Sequence, residues 1–218
     1  MKTCVCVFAK PPRPGRVKTR LSERLGPEKA AALAKAFLHD VWALIVREPA
    51  MAPVLATTDR DDTCDDLGAI TRWEQGEGDL GQKLSRVLER ALGDYPRVLA
   101  IGADAPDLPP ELLRHGVRAL ETHDAVLAPA RDGGFVLLGL RRLPEGALEG
   151  LPWSASDTFA RTREQLQARG MRVAVIGSWE DVDDYGALLR LQSRIHRSGA
   201  APCSFGALVG LGLEGGPD

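Results

Sequence analysis

Eleven consecutive residues, Lys10-Pro11-Pro12-Arg13-Pro14-Gly15-Arg16-Val17-Lys18-Thr19-Arg20, carry five basic side chains and no acidic one. They follow directly on Cys4 to Ala9, a short apolar run of the kind that forms a buried strand. Positive charge gathered where such a strand delivers the chain to a sheet edge suits a di- or triphosphate, Lys supplying a point charge and Arg a two-pronged donor. A solvated basic loop is the competing reading. Position argues against it, because the loop is longer than such connections usually are and Gly15 lets backbone approach a ligand closely.

Acidic groups stand at the ends of two other strands. Gly102-Ala103-Asp104-Ala105-Pro106-Asp107-Leu108 closes the run Val98 to Gly102 with a rigid Pro-containing turn, which holds Asp104 where it can reach Mg²⁺ or Mn²⁺. Asp107 is expected to cap the helix that begins near Pro109. Further on, Glu180-Asp181-Val182-Asp183-Asp184 follows Gly177-Ser178-Trp179. In extended backbone Asp181 and Asp183 point the same way, so both are candidate metal ligands, with capping of the last helix as the competing role for one of them.

Two glycine-containing segments complete the candidates. Asp132-Gly133-Gly134 reads as a hairpin turn in which Gly133 and Gly134 let a substrate lie on the backbone and Asp132 accepts a hydroxyl hydrogen bond; Asp132 is the nominated base. Gly76-Glu77-Gly78-Asp79-Leu80-Gly81 could approach a flat base but does not match the dinucleotide fingerprint. His39, His115, His123 and His196 are dispersed and receive no role, Cys4 and Cys6 share one face of a core strand, and no serine sits in a GxSxG elbow.

These segments need a scaffold, and the order of elements supplies one. Strands are expected over Cys4–Ala9, Val54–Thr58, Val98–Gly102, Ala125–Pro129, Gly134–Leu140 and Arg172–Ile176. Between them run helices over Pro27–Arg47, from Leu80 to Gly93, from Pro109 through Leu120, from a Ser156 cap to about Arg169, and over Asp183–Arg197. The link Ala130 to Gly133 is too short for a helical crossover, so its two strands should be antiparallel. The rest alternates strand and helix, which implies a three-layer α/β/α domain with a mostly parallel sheet and ligands beyond the strands' carboxyl ends. Asp59 to Asp66 reads as a solvated turn or short helix. A single domain over residues 1–198 is expected, with residues 199–218, which hold six glycines, as a flexible tail.

Composition narrows the partners. Of 218 residues 44% are apolar and 27% charged, an ordinary globular balance, and the net charge of −2 gives no overall field favouring nucleic acid or anionic membrane. Four cysteines without metal spacing suit a reducing compartment, and neither a cleavable leader nor a span of about 18 apolar residues is present, so a cytoplasmic location is expected.

Taken in order, Phe8-Ala9-Lys10, Gly15 to Leu21, Gly102 to Leu108, Pro129-Ala130-Arg131-Asp132-Gly133-Gly134-Phe135, Trp153-Ser154 and Asp181-Val182-Asp183 resemble the glycosyltransferase-A-like family of selenodomain-associated or arsenosugar-biosynthesis-type transferases. This family lies in the nucleotide-diphospho-sugar transferase superfamily, and the resemblance spans roughly residues 3 to 192. It implies a Rossmann-like glycosyltransferase-A fold, a nucleotide over the first strands, and Asp104 and Asp183 as metal ligands. It also implies phosphates near Lys10, Lys18 and Arg20, and the base near Gly78-Asp79-Leu80-Gly81. Phe135 stands where the family usually has Tyr, and Lys83 where it commonly has Arg. The expected function is metal-dependent glycosyl transfer from a nucleotide-diphosphate sugar to a small acceptor. The alternative is nucleotidylyl transfer from a nucleoside triphosphate to a small phosphorylated acceptor with release of pyrophosphate, the chemistry of the related molybdenum-cofactor and 2-phospho-L-lactate guanylyltransferases. A nucleotide-binding protein without turnover is the third reading.

Overall fold

The computed structural model describes residues 2–59, 62–68 and 70–213. Its centre is β1 (Thr3–Ala9), buried continuously from Thr3 to Val7, as an apolar run covered on both faces must be. β1 pairs in parallel with β2 (Met51–Thr57) on one side and β4 (Val98–Gly102) on the other. Beyond β2 lies β3 (Arg72–Glu74), also parallel. On the opposite flank β6 (Phe135–Leu140) runs antiparallel to both β4 and β5 (Ala125–Pro129), and β7 (Val173–Val175) pairs in parallel with β5. The order β3-β2-β1-β4-β6-β5-β7 is the expected mostly parallel sheet with one antiparallel excursion.

Helices cover both faces. On one, Leu38, Val41, Trp42 and Ile45 of α2 (Pro27–Val46), with Leu112 and Leu113 of α4 (Pro110–Ala119), pack in one core with Val5, Val7, Leu99 and Ile101. On the other, Leu84, Val87 and Leu88 of α3 (Leu80–Asp94) and Leu166 of α5 (Thr158–Ala168) join Cys4, Cys6, Ala100 and Leu138. The Cys4 thiol 3.7 Å away, together with burial, pushes the Cys6 thiol's pKa up, so it stays protonated and unreactive. A third cluster joins Leu21 of α1 (Thr19–Leu25), Phe37, Val182, and Leu188 and Leu191 of α6 (Tyr185–Ser198).

Several local expectations are corrected. The long loop after β1 gives way at Thr19 to a short helix, α1, and a three-residue edge strand, β3, adds to the expected strands. Residues 202–210 are not a loose tail but a helix, α7 (Pro202–Gly210). Its cap comes from α2: the buried Asp40 carboxylate accepts the Cys203 N–H (3.0 Å), the Ser204 N–H (2.7 Å) and the Ser204 hydroxyl (2.5 Å). Leu208 is buried and Gln192 Nε2 donates to the Leu213 carbonyl at 2.5 Å, so the segment is tied to α6 at Leu213. Residues 214–218 of the expected tail, and 60 and 61 of the acidic stretch, lie outside the described residues; the rest of that stretch forms a 3₁₀ turn over Asp62–Leu67. Ser156 does not cap α5; Asp157 holds the N-cap place without a side-chain capping bond, while the Thr158 hydroxyl donates to the Pro152 carbonyl (2.6 Å). Nor does Asp107 cap α4, whose N-cap is Pro109.

The sheet order creates the site. The chain leaves β1 toward β2 and β3 on one side, then returns to lay β4 on the other, so the loops after β1 and β4 diverge and open a crevice at their carboxyl ends. Because β6 is antiparallel, its first residue, Phe135, comes to the same edge.

Candidate functional site

A cleft of about 630 Å³ occupies this crevice. Lys10, Arg16, Lys18 and Arg20 bring positive charge to it, Asp104, Asp181 and Asp183 negative charge, and Phe8, Leu80, Leu84 and Phe135 apolar surface. Two of the three non-glycine residues in left-handed backbone among the described residues, Lys18 (φ 47°) and Ser154 (φ 63°), line it. Such conformations cost energy and persist where surrounding contacts over-determine them, which is common at binding sites.

The carboxylates meet because the segment after β7 crosses the sheet edge. Ile176 N–H donates to the Leu127 carbonyl (3.0 Å), Trp179 N–H to Pro129 (3.2 Å) and Val182 N–H to Asp104 (2.8 Å), carrying the chain from the end of β5 to the end of β4. Val182 is fully buried, and alternation sends Asp181 and Asp183 the other way. α6 is capped by Asp184, whose carboxylate accepts the Ala187 N–H at 2.7 Å, so neither Asp181 nor Asp183 is spent on capping. Asp132, at the tip of the β5–β6 hairpin, reaches the same place: one carboxylate oxygen from each of Asp132, Asp181 and Asp183 lies within 4.8 Å of the others. Burial, then repulsion from Asp183, Asp132 and Asp104, pushes the Asp181 carboxyl up to about 6.

Lys18 enters this group from the opposite end of the chain. Its ammonium lies 2.5 Å from Asp104 Oδ1 and 3.2 Å from Asp183 Oδ1, and donates to the Val182 carbonyl at 2.6 Å. Burial alone would lower its pKa; Asp104 and Asp183 outweigh that and hold it above the usual lysine range. Asp104 is therefore paired with Lys18 and stands outside the three-carboxylate group, although the sequence nominates it first as a metal ligand.

Behind the carboxylates, Arg194 of α6 ties their loops together. Its Nε lies 2.6 Å from Asp107 Oδ2, and its Nη1 lies 2.6 Å from Glu180 Oε2. Trp179 Nε1 also donates to Asp107 (3.2 Å), and Arg190 pairs with Glu180 (2.8 Å). Asp107 thus anchors the loop of Asp104 to the loop of Asp181 and Asp183.

Of the sequence candidates, Lys10, Lys18, Arg20, Asp104, Asp181 and Asp183 line the cleft. Gly15 occupies a left-handed turn in the basic loop, away from the lining. The stretch expected near a base instead builds the start of α3. Asp79 and Gln82 form a reciprocal cap (2.9 and 3.0 Å), a Cβ at Gly78 would strike the Gln82 amide, and one at Gly81 would strike the Leu148 carbonyl. Only Leu80 of that stretch faces the cleft. Gly133 is likewise no open platform, because a Cβ there would collide with the Ser156 backbone, and Gly134 donates its N–H to Asp132 Oδ1 (2.9 Å). Sequence reasoning missed Gln75, which lines the cleft while its buried amide donates to the Ala56 and Ala9 carbonyls (2.8 and 3.3 Å), joining the ends of β1 and β2. Nothing in its local pattern separates it from a surface Gln.

Against this geometry stand the comparisons with known proteins. Residues 38–155 match the family model described as "Uncharacterized protein conserved in bacteria (DUF2064)". A 2-phospho-L-lactate guanylyltransferase of Methanothermobacter thermautotrophicus is 34% identical over 186 residues, covering 82% of this chain and 78% of that protein. Another from Methanoregula boonei is 30% identical over 87% of this chain and 82% of its own length. Among solved structures, a nucleotide-diphospho-sugar transferase candidate from Desulfovibrio desulfuricans G20 superposes with a TM-score of 0.89 at 29% identity, over 96% of this chain and 95% of that one. Among the described residues no helix is long and apolar enough to cross a membrane.

Proposed function

Because the chain belongs to the DUF2064 family, and its curated relatives are guanylyltransferases, we propose that it is a divalent-cation-dependent nucleotidylyltransferase. It would move a nucleoside monophosphate, GMP first among the candidates, from the triphosphate to a small phosphorylated acid. The observation that carries this reading is the 34% identity across 82% of the chain to an enzyme of that chemistry. It favours the alternative above over glycosyl transfer.

An acceptor phosphate oxygen attacks the α-phosphorus, the bond from that phosphorus to the bridging oxygen of pyrophosphate breaks, and the electron pair leaves with pyrophosphate. A phosphate monoester, with its second pKa near 6, is already largely a dianion at neutral pH and needs no general base. That agrees with a lining in which, among the described residues, there is no histidine. It also removes the need for Asp132 as a base. A hydroxyl acceptor, as glycosyl transfer requires, would demand one.

The donor set suits the cation. Asp132, Asp181 and Asp183 offer three hard oxygen ligands close enough to share one Mg²⁺ or Mn²⁺, and burial together with repulsion from Asp183 and Asp132 raises the Asp181 pKa, a cost that a bound cation would offset. Bound there, the cation would neutralise charge on the phosphate oxygens and on departing pyrophosphate. Lys10, Arg16 and Arg20 would hold the triphosphate through charge-assisted bonds, while Phe8, Leu80, Leu84 and Phe135 would cover the base or ribose.

Product analysis with Mg²⁺ and a panel of nucleoside triphosphates and nucleotide sugars tests the reading. Pyrophosphate release that depends on a phosphorylated acceptor supports it. Nucleoside diphosphate release from a sugar donor, or no turnover of any pair, overturns it.

A further inference from the structure

We propose that Lys18 is a positioning residue with two alternative sets of partners: in the free protein its ammonium is the counter-cation of Asp104 and Asp183, and an arriving triphosphate draws it onto phosphate oxygens and releases Asp183 to the divalent cation. The inference rests on the cation-dependent reading above.

An ammonium has three N–H donors, and the three acceptors around Lys18, Asp104 Oδ1, Asp183 Oδ1 and the Val182 carbonyl, use them all. In this arrangement no donor remains for a phosphate, so a phosphate role for Lys18 requires that it leave the carboxylates. Its side chain is only 5% exposed, whereas Asp104 and Asp183 are 50% and 49% exposed, so the carboxylates stay open to solvent on the side away from Lys18. Asp183 belongs both to the Lys18 pair and to the three-carboxylate group. A cation bound by that group and the Lys18 ammonium therefore compete for one carboxylate and repel each other across it.

The backbone is set for such an exchange. Lys18 is held in left-handed conformation at φ 47° and ψ 46°, as the N-cap residue of α1. A lysine gains nothing locally from that conformation, so its distant contacts must maintain it. The consequence is thermodynamic: cation alone binds weakly because it must displace Lys18, nucleotide relieves that competition, and each ligand raises the other's affinity by the same factor.

Binding of Mn²⁺ to the wild-type protein and to Lys18→Met, followed by the electron paramagnetic resonance of free Mn²⁺ with and without GTP, tests this. Lys18→Met should bind Mn²⁺ alone about 5- to 10-fold more tightly than wild type, and the gain in Mn²⁺ affinity caused by GTP should shrink toward none. Unchanged or weaker Mn²⁺ binding by a folded Lys18→Met overturns the proposal and leaves the nucleotidylyltransferase reading standing. Wild-type protein that takes up no Mn²⁺ even with GTP overturns the cation-dependent reading and this inference with it. A second measurement needs no variant: Lys18 methylation by formaldehyde and borohydride, read by mass spectrometry, should be slow in the free protein, severalfold faster at saturating Mn²⁺ and slow again when GTP is added. Continued protection at saturating Mn²⁺ overturns the proposal independently.

Discussion

Replacing Arg194 with Met tests whether the carboxylate loops are held by one shared ion network. Arg194 contacts the Asp107 carboxylate at 2.6 and 3.3 Å and Glu180 at 2.6 Å, and the Asp107 side chain is only 3% exposed. Without the guanidinium, Asp107 keeps one donor, Trp179 Nε1, and a buried charge is left largely uncompensated. Breaking a buried pair in this way costs about 3–5 kcal/mol, and since Arg194 itself is partly open to solvent the expected loss is about 2–3 kcal/mol. Glu180 adds little, because Arg190 remains 2.8 Å away and Arg131 3.5 Å away. Urea denaturation measures the loss, and Mn²⁺ titration should show weaker binding, since the loop carrying Asp181 and Asp183 loses its tie through Glu180 to Asp107. The double variant Arg194→Met/Asp107→Asn removes the orphaned charge and should recover about half of the lost stability. A loss below about 1 kcal/mol for Arg194→Met, or a double variant no more stable than the single one, would refute the reasoning.

Asp40→Ala removes all three bonds that cap α7 and should cost about 3 kcal/mol, with faster amide exchange concentrated in residues 202–213; protection there equal to wild type would show that α7 holds itself. Asp181, whose folded pKa of about 6 exceeds its ordinary value, favours the fold while protonated, and that contribution is lost as pH rises through 6. Cation-free Asp181→Asn should therefore melt higher than wild type at pH 8 and no higher at pH 4, and a pH-independent difference would contradict the cause given. Gly133→Ala places a Cβ against the Ser156 backbone at φ 94° and should lose more than about 2 kcal/mol in urea denaturation, whereas a neutral effect would mean the hairpin can shift away.

The parts of the molecule that were legible are those fixed by local pattern. The apolar runs Val98–Gly102 and Ala125–Pro129 are strands with the expected bounds, and the short link after Pro129 makes an antiparallel pair. Alternation in Asp181-Val182-Asp183 was enough to aim both carboxylates together. What was not legible depends on distant partners. Asp40 is one polar position of an amphipathic helix until α7 folds back 163 residues later, and Lys18 is one basic loop residue among five until Val182 docks on β4. Glycine misled in the opposite direction. Gly81 and Gly133 are required because backbone packs on them, yet the same absence of a side chain reads as room for a ligand. Glycosyl and nucleotidylyl transfer both need basic residues, carboxylates and a cation, so those groups could not separate them. The distinction lies in whether the acceptor needs a base.

Attack through phosphate can be observed directly. With GTP, Mg²⁺ and a small phosphorylated hydroxy acid carrying ¹⁸O in its non-bridging phosphate oxygens, ³¹P NMR follows the label through one turnover. Nucleotidylyl transfer should place ¹⁸O in the bridge between the two phosphorus atoms of the product and leave pyrophosphate unlabelled. Release of GDP in place of pyrophosphate, or a product whose new bond runs through an unlabelled hydroxyl oxygen, would contradict it.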